Sequence, residues 1–232
     1  MTILLLETAT QICSAALTRD GQIIAEIHSD EPNAHSSKLA VFIDALFKEN
    51  GISPDQLDAV CVSSGPGSYT GLRIGVSSAK GLCYALDIPL LAIPTLQNMA
   101  SLYFAQHPDY DGLVCPMIDA RRMECYTAIY SRSGIEKETT AEVIEAGIYD
   151  RWLDKQKVTF IGDGAEKTRP LLSVHSNALY DSTFAISASG MALEAEAKLK
   201  RGDKEDTAYF EPFYLKDFVA KKSVVHGLRA EN

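Results

Sequence analysis

No stretch of this chain approaches the roughly 20 consecutive apolar residues that a membrane helix needs, which argues against a helical membrane protein. The apolar run near the N-terminus, Ile3 to Leu6, has no basic residue before it and is too short for a signal peptide's apolar region. A soluble, cytoplasmic protein is therefore expected. The five cysteines (Cys13, Cys61, Cys83, Cys115, Cys125) are odd in number, contain no C-x-x-C pair and sit mostly within apolar runs. They read as small hydrophobes in a reducing compartment rather than as a disulfide framework. No two of the histidines form H-x-x-x-H or H-E-x-x-H, the facing pairs that metal sites commonly use. Cations are scarce too: 22 Lys and Arg against 31 Asp and Glu leave a formal charge of −9, so the surface field repels phosphate backbones and disfavours autonomous nucleic-acid binding.

What is present is enough apolar material, 46% of 232 residues, for one large core or two small ones. A strand over Ile3 to Leu6 precedes a hairpin of Ile12 to Thr18 and Gln22 to His28, turned by Arg19-Asp20-Gly21. Leu39, Phe42, Ile43, Leu46 and Phe47 then recur at helical spacing, and Asn50-Gly51 supplies the C-cap. Ser53-Pro54-Asp55-Gln56 resembles a capping box before a strand over Leu57 to Val62. A second helix, Thr70 to Leu86, leads to a strand over Pro89 to Ile93. The order β-β-β-α-β-α-β predicts a mixed sheet covered by helices. Strand, carboxylate, turn, strand recurs at Leu113 to Tyr130, with Asp119 placed as Glu7 is in the first half. A strand over Val158 to Ile161 and a helix over Ile186 to Lys200 follow. The polar segment Tyr103 to Gly112 marks a boundary, dividing the chain into 1–104, 105–217 and an aperiodic tail, 218–232.

The most informative stretch runs from Ser63 to Gly81. It is glycine-rich between a strand and a helix, yet Gly71 is followed by Leu72-Arg73 rather than Lys-Ser/Thr, so it is not a P-loop. Its glycine spacing does not fit the dinucleotide fingerprint, and no G-x-S-x-G elbow is present. Instead Gly71, Gly75, Ala79 and Cys83 make a stripe of small side chains at four-residue intervals. The three glycines within the helix cost about 2–3 kcal/mol relative to alanine, which close packing must offset. Two roles are open to the stripe, packing on the chain's own sheet and contact of part of it with a helix of another subunit, and both can hold. Ile74, Val76, Leu82, Tyr84 and Leu86 spread apolar area beyond one sheet contact. In the helix Ser37 to Glu49, Val41 and Ala45 lie off the main apolar face. If the stripe is an interface, Gly75→Leu abolishes partner binding and spares the fold; if the packing is internal, folding is lost.

Glu7 and Asp119, at equivalent points of the two halves, could flank a cleft and hold a metal-phosphate group, although a carboxylate at a strand end is more often a turn residue. Arg121 and Arg122 have bidentate chemistry for an anion, although adjacent arginines in a turn are usually solvated.

Together, Gly65-Pro66-Gly67-Ser68-Tyr69-Thr70-Gly71-Leu72-Arg73-Ile74-Gly75 and Ala79-Lys80-Gly81-Leu82 closely resemble the signature of the TsaB family. Ala34-His35-Ser36, Asp119 to Tyr126 and Pro212-Phe213-Tyr214-Leu215-Lys216 are similar to its other motifs, in the same order. The resemblance implies an α/β protein of two RNase H-like lobes, of the actin, sugar-kinase and Hsp70 type, with the second lobe reduced. It implies a non-catalytic dimerisation subunit that activates a relative, the transferase TsaD, in N6-threonylcarbamoyladenosine modification of tRNA. The ATPase TsaE assists, tRNA is reached only through the complex, and the chain alone pairs with itself.

The implied interface comprises Leu39, Phe42, Ile43 and Leu46 on the first helix and Gly71, Leu72, Ile74, Gly75, Ser78, Ala79 and Leu82 on the second. Glu7, Thr8, Asp119 and Arg121 line a vestigial ligand cleft. Where TsaD carries a histidine metal pair, this chain reads Ile93-Pro94-Thr95-Leu96-Gln97-Asn98-Met99-Ala100; no metal, cofactor or catalytic residue is expected. Ala9 stands where kinase-like relatives use a phosphate-binding glycine. The rivals are a small-molecule kinase or ATPase of the same fold, using Glu7 and Asp119, and a metalloprotease.

Overall fold

Asp20 and Gly21, both at positive φ, make the first turn that the sequence announces, and around it a sheet assembles on β1 (Thr2–Glu7). The computed structural model describes residues 1–216; the expected tail at 218–232 lies outside them. β2 (Cys13–Arg19) pairs antiparallel with β1 and with β3 (Gln22–Ser29). On the other side β4 (Ala59–Ser63) and β5 (Leu90–Ile93) run parallel to β1, giving the order β3-β2-β1-β4-β5. Between them come α1 (Ala34–Asn50) and α2 (Tyr69–Leu86). Gly51 closes α1 in the left-handed conformation, its N–H donating to the Phe47 and Lys48 carbonyls.

The second half repeats the plan. β6 (Leu113–Asp119), β7 (Glu124–Ser131), β8 (Gly134–Val143), β9 (Val158–Ile161) and β10 (Ala178–Asp181) form a sheet in the order β8-β7-β6-β9-β10, with the same parallel and antiparallel senses. Where the first half carries α1 and α2, the second has only α4 (Asp150–Leu153) and α5 (Arg169–Leu172), four residues each.

Alternation along the central strands decides the layers. Leu4 and Leu6 of β1 face α1 and α2, whereas Ile3 and Leu5 face α6 (Ala192–Arg201) and the 3-10 turn Ala188–Met191 before it. In β6, Cys115 and Met117 face Tyr149, Leu153 and Leu172, while Val114 and Ile118 face α3 (Thr95–Gln106). The expected division at 104/105 is corrected here. It cuts the last turn of α3, which packs on the second sheet, and α6 returns to complete the first. The helix expected from Ile186 begins only at Ala192, because residues 188–191 form the tighter turn. No helix among the described residues is long and apolar enough to cross a membrane.

Candidate functional site

The glycines of the Ser63–Gly81 stretch are explained by what they touch. A Cβ on Gly71 would collide with the Thr8 carbonyl, one on Gly75 with the Thr8 hydroxyl, and one on Gly67 with the Ala9 carbonyl. Ser68 N–H donates to that same carbonyl at 2.6 Å. Helix α2 therefore sits directly on the β1–β2 turn, closer than any side chain allows. Ala79 and Cys83 continue the stripe into the core.

Thus the stripe is internal packing, and the expectation that Gly71, Gly75 and Ala79 meet another subunit is corrected. Leu39, Ile43, Leu46 and Leu72 are likewise covered within the chain. Of the eleven expected interface residues, Phe42, Ile74, Ser78 and Leu82 keep part of their surface. The outermost apolar groups on the pair are two others: Val41, 59% exposed, and Tyr84, 87% exposed. Gly81 has nothing within 4 Å of a Cβ position and no packing role.

The segment after α6 borders this face, a feature that local sequence patterns do not reveal. Glu205 N–H donates to the Leu90 carbonyl at 2.9 Å, at the edge of the first sheet. Lys80 of α2 donates to the carbonyls of Ala208 and Phe210, each at 3.0 Å. Phe213 N–H donates to the Ser64 carbonyl at 2.7 Å, and its own carbonyl lies 2.5 Å from a Cβ position on Gly65, whose φ is +110°. Tyr214 accepts from Arg73 Nε at 3.2 Å and packs its ring 5.0 Å from that of Tyr69. The Arg73 guanidinium in turn lies 4.3 Å from the Tyr69 ring centroid. Residues 205–216 form a strap that ends in a Lys216–Glu124 ion pair on the second lobe. A hollow lined by Tyr69, Thr70, Arg73, Ile74, Ser77 and Ser78 opens beside it on α2.

The expected ligand cleft is also corrected. Glu7 and Thr8 are fully buried. The Glu7 carboxylate accepts from Ala9 N–H at 2.7 Å and from Asn98 Nδ2 of α3 at 2.6 Å. Asn98 Nδ2 also donates to the Ser187 carbonyl at 3.0 Å, so this polar knot joins both halves. Burial pushes the Glu7 carboxyl up to about 7, against the pull of those donors.

Asp119 is in contrast exposed. It accepts from Arg121 N–H at 2.8 Å and Lys167 Nζ at 2.5 Å. Partial burial raises it, yet the Lys167 ammonium and these donors prevail and hold it below the ordinary range. Lys167 also donates to the Glu124 carbonyl at 2.7 Å, and Asp163 accepts from Asp119 N–H at 2.9 Å. Arg121 and Arg122, at the tip of this hairpin, both adopt positive φ, +73° and +51°. Such conformations cost about 1–3 kcal/mol each in non-glycine residues.

A cavity of about 400 Å³ does lie between the halves, but Glu7, Thr8, Asp119 and Arg121 do not line it. Its walls carry Met99, Phe160, Phe184 and Ile186 with four carboxylates, Asp30, Asp163, Glu166 and Asp181, and no lysine or arginine. A polyphosphate has no cation to meet there. The five thiols are all buried, and burial raises each of them, which makes them poor nucleophiles.

Comparison with known proteins follows the same lines. The family model described as TsaD, tRNA N6-adenosine threonylcarbamoyltransferase, matches residues 22–224. The chain is 30% identical over 231 residues to the tRNA threonylcarbamoyladenosine biosynthesis protein TsaB of Escherichia coli, covering 97% of this chain and 98% of that one. It is 34% identical over 182 residues to the protein of the same name in Bacillus subtilis, covering 78% and 73%. Its structure is similar to that of YeaZ from Pseudomonas aeruginosa, with TM-score 0.79, 26% identity, and 92% and 99% of the two chains covered. An activator of 2-hydroxyisocaproyl-CoA dehydratase from Clostridium difficile shares the fold alone, at TM-score 0.51 and 10% identity over 87% of this chain and 97% of that one. The shared architecture is two-lobed, with one five-stranded mixed sheet in each lobe.

Proposed function

Because this chain belongs to the TsaB family, we propose that it is a non-catalytic subunit that docks the outer face of α1 and α2 onto the TsaD transferase in threonylcarbamoyladenosine modification of tRNA. One observation carries this reading. Two long helices, side by side over one core, leave Val41 and Tyr84 exposed, with Phe42, Ile74 and Leu82 half-covered, while among the described residues the other half bears no such pair. Exposed aromatic and aliphatic groups on rigid helices are the usual anchors of an interface. The Tyr69–Arg73–Tyr214 cluster, where α2 meets the strap, extends that face with a guanidinium that lies over the Tyr69 ring and donates to the Tyr214 hydroxyl.

Chemistry falls to the partner. Glu7 is sealed inside and Asp119 is engaged by Lys167, so neither is free to orient a reacting group, and the acidic cavity is ill-suited to a nucleotide's phosphates. The chain alone pairs through the same face, and the ATPase TsaE joins the assembled complex. The test is reconstitution of the modification with TsaD, TsaE, tRNA, ATP, threonine, bicarbonate and the synthase. Modification should require this chain, and a Val41→Asp/Tyr84→Asp double variant should remain folded but fail to support it. Equal product without the chain, or full activity of the double variant, refutes the proposal.

A further inference from the structure

On the described residues, Arg73, Arg132, Arg151, Arg169 and Arg201 each hold a carboxylate, a carbonyl, a hydroxyl or an aromatic ring. As is also true of the solitary Arg19, the side chains of Arg121 and Arg122 hold none. They are adjacent, exposed and far from the α1–α2 face in sequence, at the tip of the β6–β7 hairpin. Both stand in the left-handed conformation, which strains a residue with a β-carbon. Two cations side by side at strained positions point to a use for the guanidiniums themselves rather than for the turn.

Their backbone is fixed from below. Asp119 accepts from Arg121 N–H, Lys167 bridges Asp119 and the Glu124 carbonyl across the feet of the hairpin, and Glu124 N–H donates to the Arg121 carbonyl at 3.1 Å. Lys216, at the end of the strap, pairs with Glu124 beside them. The carboxylates at the base are paired with Lys167 and Lys216; Arg121 adds its attraction to Asp119, while the hydrogen-bonding edges of both guanidiniums stay open at the tip. Guanidinium is the group best matched to phosphate.

We propose that Arg121 and Arg122 grip the phosphate backbone of the tRNA, a contact made when another subunit supplies most of the attraction. This rests on the reading that the chain works within a tRNA-modifying complex, and it accommodates the net charge of −9, which keeps the isolated chain from binding RNA by itself. Phosphate contacts position a nucleic acid without reading its sequence, so the pair orients the substrate rather than selecting it.

The experiment uses the complex of this chain with the transferase and measures tRNA affinity between about 50 and 200 mM salt. The variant Arg121→Asn/Arg122→Gly suits the turn and should keep or raise the melting temperature. It should weaken tRNA binding and lower the slope of log affinity against log salt by about two, one for each lost phosphate contact. Arg121→Lys/Arg122→Lys should restore most of the slope. An unchanged slope and affinity in an intact complex overturns the proposal, as does loss of transferase capture, which would make the arginines a protein contact. If the wild-type chain captures no transferase, the functional reading and this contact fall together; if it captures it and only the slope is insensitive, the contact alone falls.

Discussion

The two halves share a strand order, β3-β2-β1-β4-β5 and β8-β7-β6-β9-β10, and treat it differently. In the first, the connections before and after its fourth strand, β4, grow into helices of 17 and 18 residues; in the second, around β9, they carry helices of only four. Both halves press glycines against the end of their first strand: a Cβ on Gly67, Gly71 or Gly75 would collide with Thr8 or Ala9, and one on Gly164 would come within 2.9 Å of the Ile118 carbonyl carbon. At those ends the carboxylates have opposite surroundings, Glu7 sealed and Asp119 exposed. Close backbone approach is therefore common to both halves, whereas the outer helical layer and the buried acid belong to one. The surface left over for a partner follows from the layer that only the first half has.

That contrast can be broken first at Gly75. Its side-chain position is occupied by Thr8, so Gly75→Leu should cost about 3 kcal/mol or more by overpacking, seen as lost cooperative unfolding in urea. A folded Gly75→Leu protein that merely lost its partner would restore the interface role of the stripe.

The carboxylates come next. Glu7 has a raised value in the folded chain, so its favourable contribution is complete below about 4.5 and disappears as pH climbs through about 7. Between those values stability should fall by about 3 kcal/mol, and Glu7→Gln should flatten the decline in a series of denaturant midpoints. An unchanged profile in Glu7→Gln would mean that the group is not protonated in the fold.

For partner capture, Val41→Ala with Tyr84→Ala should lose about 2 kcal/mol of affinity for the transferase. Val174, 78% exposed in the second half, should be silent when changed to alanine. Equal losses at both places in a titration would erase the asymmetry. The smallest effect belongs to Asp119, whose contribution is present above the ordinary aspartate range and fades as pH falls through its lowered value. Asp119→Asn should change stability by no more than about 1 kcal/mol, as for other surface ion pairs, with the difference vanishing in acid.

Much of the first half was legible because its signals are local. Asp20-Gly21, Asn50-Gly51 and the spacing of Leu39, Ile43 and Leu46 each act within a few residues. α3 was not read, since it is buried between the two halves, from Leu96 through Asn98 and Met99 to Tyr103, and shows no polar stripe. β8 escaped because Glu136, Lys137, Glu138 and Glu142 dilute its alternation, and β10 because four residues carry too little pattern. The site was legible as two helices but not as a face. The small residues drew attention to the side that Thr8 occupies, while Arg73 meets Tyr214 across 141 residues, which no local pattern encodes.

The exchange of α3 and α6 bears on how the molecule is born. Ile3, Leu5, Cys61 and Leu91 are covered by Ala188, Met191, Ala192 and Ala195, so a nascent chain emerging from the ribosome carries one bare greasy face of its first sheet until about residue 195 has cleared the exit tunnel. Synthesis must pass well beyond that residue before the half can close, and during the wait the exposed strands are a natural target for the cell's chaperones.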